Sequence, residues 1–523
     1  MGRLLERSKL PFFITLLSFS SVFAQDKKLT EQMETNTFTV VYTIIFLLIS
    51  VLLGVWASKK AKTAEGFFGG TKSFGPITIG LASMAALMSA FGFVGGPGLV
   101  YKLGFSSIWM TIACGPGFAY AYWVLGKRMR AMAEVTSVAT LPDIARVRYQ
   151  SQAIRAIFAF GLLIAAIAYL SSQMKGAAMT LAQMLGVSEK WAIVIFMGVM
   201  LIFLLKAGMA ASIVTDAFQG LVMLIGVFSV VIGFFVLTKG DAMIAIANAP
   251  NLGPKYVDGI GAAPLQTIIT FIIVFFVFVM SQSTMLSKMY TVKSYKGLKQ
   301  AGLLSGVTYA MASLVWILVG YGALYLLSQG RIEPLQKADN AAFVFLNALE
   351  SPIIATLVMA SLFAATISTA SYFLTLSSSS ITRDMLGAFG IELSQEKQIF
   401  WGRIIMVLIA LLSIGFAYWG SDMVAILGTL GWGFFASVNF PTLTLGLIWK
   451  KTSREGVLTG IILAIILNIV LAILDKSGIY RLPFPYYTLS IVVSIVATVF
   501  VSLFTKGASG DNLPEPIKPI FKL

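Results

Sequence analysis

Histidine is absent from all 523 residues. Histidine metal sites, Ser–His nucleophile pairs and histidine proton relays are excluded together. Cysteine occurs once, at Cys114, so no intrachain disulfide can form. Charge is scarce as well: Asp, Glu, Lys and Arg make up 11% of the chain, against about 25% in a soluble domain. The acidic residues are the rarer sign, 22 against 38 Lys and Arg. Asp216 is the one we place within an apolar run. With no paired intramembrane carboxylates, no base and no metal cluster, the chain does not read as an enzyme.

What is there instead is apolar. Hydrophobic residues make up 58% of the chain, and mean hydropathy is +0.88. Runs long enough to cross a bilayer fall near 38–58, 76–101, 106–126, 153–174, 190–206, 212–236, 264–284, 302–327, 350–380, 401–420, 422–449, 456–474 and 486–505. Backbone polar groups in lipid must be bonded within the segment, so continuous runs of this length are helices. The expected fold class is all-α, a polytopic membrane protein of about 13 transmembrane helices. Two five-helix blocks, about 76–236 and 264–449, stand out. Five is odd, so the second block inserts upside down relative to the first, an inverted repeat.

The net charge of +16 is not read as a nucleic-acid surface, because the basic residues sit between the apolar runs. One alternating set of connections carries Lys127, Arg128, Arg130, Arg146, Arg148 and Arg155, then Lys288, Lys293, Lys296 and Lys299, then Arg383, Lys397 and Arg403. That bias puts the N-terminus outside and the C-terminus in the cytoplasm of a multi-pass cell-membrane protein. Residues 1–24 read as a signal peptide: Arg3, Arg7 and Lys9 precede a short apolar core, and Val22-Phe23-Ala24 precedes Gln25. An uncleaved extra span is the alternative. Residues 25–505 form the transmembrane domain, and 506–523 a cytoplasmic tail that its prolines suggest is disordered.

Two stretches carry the chemistry. In SAFGFVGGPGLVYKLG (89–104), Gly92, Gly95, Gly96, Pro97 and Gly98 fall mid-membrane, and such a cluster predicts an unwound, discontinuous helix. Close packing of small residues is the alternative reading. In SLFAATISTASYFLTLSSSSITRD (361–384), Ala365, Ser368 and Thr369 share one helical face at i, i+3 and i+4. Such hydroxyls can bond back to their own helix. Beside a broken helix they can also complete an all-oxygen cage, and a cage without a carboxylate suits a monovalent cation. Asp216 is either a functional intramembrane acid or an interfacial one paired with Lys206 or another base.

The chain resembles the sodium:solute symporter family, which has the leucine-transporter fold, and within it is most like sodium/pantothenate symporters. The likeness covers about 40–505 and is carried by FVGGPGLVYKLG (93–104), VLGKRM (124–129), TLPDIARVRYQS (140–151), TDAFQGLVMLIG (215–226), AATISTASYFL (364–374) and GLIWKKTSREGVLTG (446–460). The resemblance implies a sodium site made by the carbonyls of Ala85, Met88 and Ala365 with the hydroxyls of Ser368 and Thr369. It implies a second cation position at Asp216, Ser368 and Ser371. Substrate would bind beside Ser89, Gly92, Gly95 and Gly96, with Gln173 and Gln282 contributing. Leu87 stands where proline-type members carry Asp, Ala207-Gly208 where the family has Gly-Gly, and Lys288 where an Arg is usual.

The expected function is sodium-coupled symport of a small organic solute (pantothenate-like, an amino acid or a monocarboxylate) by alternating access. Its alternatives are proton-coupled symport and uncoupled facilitation. The expected partners are the solute, co-transported sodium and the lipid bilayer, with no nucleic acid and no obligatory protein partner.

Overall fold

A computed structural model describes residues 37–57, 74–135, 138–419, 423–479 and 482–522; the signal-peptide reading at 1–24 lies outside them. Among the described residues the chain is helical throughout and has no strand. A lead helix, α1 (Thr37–Ala57), precedes the first block. That block comprises α2 (Pro76–Leu87), α3 (Gly96–Leu103), α4 (Ile108–Tyr120), α5 (Gly126–Val135), α6 (Leu141–Tyr149), α7 (Gln152–Leu185) and α8 (Glu189–Thr238). A short α9 (Ala242–Asn248) leads to the second block: α10 (Leu265–Ser281), α11 (Ser283–Met289), α12 (Tyr295–Ser328), α13 (Ala341–Ala348), α14 (Pro352–Ser379), α15 (Gln395–Trp419) and α16 (Val424–Asn439). Two further helices, α17 (Arg454–Lys476) and α18 (Tyr486–Phe504), follow.

Ten helical segments among the described residues are long and apolar enough to cross a membrane, and Thr37–Leu53 and Pro76–Leu87 are shorter apolar helices. The expected two runs at 190–206 and 212–236 both fall within α8, whose 50 residues at about 1.5 Å rise per residue exceed one bilayer thickness, and Ser212–Thr238 is the part long and apolar enough to count as a span. Helix starts follow local chemistry. Pro76 and Pro352 occupy the first turns of α2 and α14, where the missing N–H costs nothing. Thr140, Ser151 and Ser453 accept from the amides of Asp143, Ile154 and Gly456 as N-caps.

The first helix of each block is interrupted. In the first block α2 ends at Leu87 and Met88 turns extended at φ −72°, ψ 132°, before the chain re-enters a helix through a π-turn at Phe91–Gly95. In the second block Gln282, at φ −67°, ψ 117°, separates α10 from α11. The sequence places the first break in the glycine–proline cluster; it falls just before it. The glycines serve helix contact. A Cβ on Gly95 would stand 2.8 Å from the Ala425 nitrogen, and one on Gly96 2.6 Å from Trp316 Cβ. The second break lies inside a run, 264–284, that the sequence reads as continuous.

The tail corrects the expectation of a disordered end. Arg148 donates to the carbonyls of Gly446 (2.7 Å), Thr452 (3.1 Å) and Ala508 (2.6 Å), and lies over the rings of Tyr149 and Phe521. Ile517 and Ile520 are buried. A buried guanidinium needs its donors matched, and the tail's carbonyl completes the set. At the same end Arg155 bridges Asp143 (3.0 Å) and Asp384 (3.3 Å), and Arg383 reaches Asp143 at 3.2 Å.

Candidate functional site: the two interruptions and the hydroxyl face of α14

Breaking a helix frees amides and carbonyls that must be paired when buried. At the first interruption the Ala90 amide donates to Gln173 Oε1 on α7 (3.0 Å), and the Phe91 amide to Ser89 Oγ (3.2 Å). Tyr169 donates its hydroxyl to the same Ser89 oxygen at 2.9 Å. On the carbonyl side, Ser368 Oγ lies 3.1 Å from Ala85 O and 3.0 Å from Ala365 O, and Thr369 Oγ1 lies 3.2 Å from Met88 O. Five oxygens, three carbonyl and two hydroxyl, are thus gathered between the end of α2 and the middle of α14. All five residues are buried, and among the described residues no carboxylate is bonded to any of the five oxygens.

The second interruption is served from α14, α16 and the turn after α16. Asn439 Nδ2 donates to Ser281 O and Ser283 Oγ, both at 2.7 Å. Tyr372 donates to Ser283 O at 2.7 Å, and Thr444 to Met280 O at 3.0 Å. Gln282 itself is buried with both amide atoms unpaired among the described residues, as are Asn439 Oδ1 and Trp432 Nε1. Trp432 stacks on Phe278 at 4.4 Å and meets Phe91 at 4.4 Å and Phe275 at 5.0 Å. It also faces Tyr169 at 6.1 Å. An aromatic cluster with unsatisfied amide and indole groups therefore sits where the two broken helices meet α7 and α16.

Of the expected site residues, the structure brings together Ala85, Met88, Ala365, Ser368 and Thr369 as one oxygen group. Ser89 and Gln173 lie at the first break and Gln282 forms the second. Gly92 packs toward the Met88 side chain, and Gly95 and Gly96 against Ala425 and Trp316. Asp216 is not joined to Ser371, whose hydroxyl turns back to Ser368 O at 3.0 Å. Asp216 instead bonds Lys288 at 3.0 Å and accepts from Ser212 at 3.3 Å. The base beside it is thus Lys288. Leu87 is buried at the last turn of α2; the side chains of Ala207 and Gly208 lie outside those described. Sequence reasoning missed Trp432, Asn439 and Tyr372. The polar run SQSTMLSK (281–288) was the only signal of the second break.

The profile of the sodium:solute symporter family matches residues 67–464. Sodium/proline symporter 2 of Staphylococcus saprophyticus is 25% identical over 510 residues, covering 94% of this chain and 98% of that protein. A sodium/proline symporter of Staphylococcus aureus is 24% identical, covering 91% and 95%. Among solved structures, a Na+-coupled sialic acid symporter in a substrate-bound outward-open state superposes with a TM-score of 0.73 at 18% identity, covering 90% of this chain and 99% of that one. A nucleobase-cation-symport-1 family transporter gives 0.53 at 14% identity, covering 87% and 98%. These two likenesses speak for the fold alone. The family match spans most of the chain, so this multi-pass membrane protein belongs to the sodium:solute symporter family and is a transporter rather than an enzyme.

Proposed function

We propose that the chain imports a small organic solute with sodium, that Ala85, Met88, Ala365, Ser368 and Thr369 hold the ion, and that the solute binds at the two interruptions. The oxygen group carries the reading: neutral dipoles can replace an ion's hydration shell without trapping it. Sodium held there would tie α2 of the first block to α14 of the second. An ion bound across two repeats favours the arrangement in which they are closed on each other, and solute binding beside it gains by the same amount.

The solute would meet Ser89, Gln173 and Gln282, with the Asn439 amide and Trp432 indole added from the geometry. The unpaired groups at the second break include both donors and acceptors. They bear no net charge, and aromatic faces flank them. Such a site suits a net-neutral zwitterion, and the sodium/proline symporter relatives support a small amino acid over a pantothenate-like solute or another monocarboxylate. The end that gathers Arg148, Arg155, Arg383 and the tail is assigned to the cytoplasm by the positive-inside bias, so the repeats would be inverted about the membrane plane.

Uptake of labelled proline into cells or proteoliposomes, driven by an inward sodium gradient, tests this directly. Accumulation that needs sodium and collapses when the gradient is removed is expected. Equilibration without accumulation would make the protein a facilitator, and accumulation that follows pH instead of sodium would make it proton-coupled.

A further inference from the structure

Lys288 and Asp216 form a buried ion pair, with side chains 2% and 1% exposed. The ammonium has a second acceptor, the Ala82 carbonyl at 3.0 Å, and lies 5.9 Å from the Tyr372 ring. The carboxylate has a second donor, Ser212. Three elements therefore converge on one ammonium: α2 before the first break, α8, and α11 after the second break. The carbonyls of Ala82 and Ala85 lie one turn apart on α2, and that of Met88 follows at the extended residue that ends it. The first faces the lysine. The other two face the hydroxyls of Ser368 and Thr369.

We propose that Lys288 is a tethered cation. Its ammonium holds the place at Asp216 that a second transported cation would need, and the chain therefore binds a single sodium ion. This rests on the sodium reading of the oxygen group. The residues implied as a second cation position do not fit one here. Asp216 is neutralised by Lys288, Ser368 is turned to Ala85 and Ala365, and Ser371 is turned to its own helix. A mobile cation would have to displace an ammonium that cannot diffuse away. Removing the lysine charge leaves a buried carboxylate with no counter-ion, a costly state that a bound cation relieves.

A plain structural ion pair would leave ion stoichiometry untouched, which makes stoichiometry the readout. Equilibrium binding of radioactive sodium to the purified full-length chain, with choline holding ionic strength, should saturate at one ion in the wild type. Lys288→Met should raise it to two, and Lys288→Met with Asp216→Asn should return it to one. Two ions in the wild type, or one in a folded Lys288→Met variant, would overturn the proposal while leaving sodium coupling intact. Should Lys288→Met fail to fold, Lys288→Gln, which removes the charge but keeps a hydrogen-bonding amide beside Asp216 and the Ala82 carbonyl, carries the same expectation of two ions and the same refutation by one. No saturable sodium binding in the wild type would instead overturn the sodium reading, and this proposal with it.

Discussion

Ser368 Oγ stands 3.1 Å from the carbonyl oxygen of Ala85, a residue from the other repeat block. That carbonyl lies in the last turn of α2, where interruption of the helix leaves it without an amide partner from its own ladder. The hydroxyl and the break thus answer each other: here Ser368 donates to the carbonyl, and in the proposed ion-bound state the two oxygens would share the sodium instead.

Ser368→Ala and Thr369→Ala should each raise the sodium concentration for half-maximal solute uptake about tenfold or more, since a polar contact to a charged group contributes about 1.5–3 kcal/mol. Ser379→Ala should leave it near the wild-type value, because that hydroxyl bonds its own helix at Leu376 O. Sodium activation curves of uptake for the three variants check this, and three equal curves would remove the assignment.

Gly95→Ala should lower stability by roughly 1–3 kcal/mol, the usual penalty for overpacking. Its Cβ would meet the Ala425 backbone, which cannot swing aside as the Met88 side chain beside Gly92 can. Thermal melts of Gly95→Ala and Gly92→Ala should therefore separate, with Gly95→Ala the lower.

Asp339, on the loop between α12 and α13, accepts from the Val424 amide at 2.6 Å and so joins that loop to the start of α16. Burial pushes its carboxyl up to about 6, against the Val424 hydrogen bond and the charges of Lys175, Lys102 and Lys337, which pull it down. The folded state holds this proton more tightly than the unfolded chain. Its contribution to stability is full below the ordinary carboxylate value, 3.8, and is lost as pH rises through about 6. Asp339→Asn should gain on the wild type in melting temperature across that window and level off above it. A constant difference across the window would contradict the role.

Arg148→Ala should lower the melting temperature by several degrees, because it leaves three carbonyls without their donor and releases the tail. Removing residues 507–523 should lower it too, by taking away the Ala508 carbonyl and the buried Ile517 and Ile520. Combining the two changes should cost less than their sum, since they share partners. Full additivity would mean that the tail and Arg148 act independently.

The all-helical membrane fold could be read from run length and hydropathy, because lipid permits few other backbones. The hydroxyl face of α14 was legible for a similar reason: Ala365, Ser368 and Thr369 lie one helical turn apart, and the period is local information. The position of the first break was not. Met88 and Ser89 carry no backbone signal, and partners on α7 and α14 stabilise the extended turn. The nearby glycines drew attention because they are visible in sequence, yet they are there for Ala425 and Trp316. The break at Gln282 showed only as the polar run 281–288, since it is held by Asn439, Tyr372 and Thr444, all distant in the chain. The pairing of Asp216 with Lys288 is tertiary in the same sense. The tail misled because its prolines speak for disorder, while its spaced isoleucines, which pack, are too few to register.

The most direct test of the ion site needs no solute. Melting temperature of the purified wild type and of Ser368→Ala/Thr369→Ala should be measured against sodium, with choline holding ionic strength constant. A ligand bound only by the folded state adds about 2.7 kcal/mol of stability at a hundred times its dissociation constant. A sodium-specific rise in the wild type, lost in the double variant, is the predicted result. The same rise in both proteins, or none in the wild type, would contradict the assignment of the ion to the oxygens of Ala85, Met88, Ala365, Ser368 and Thr369.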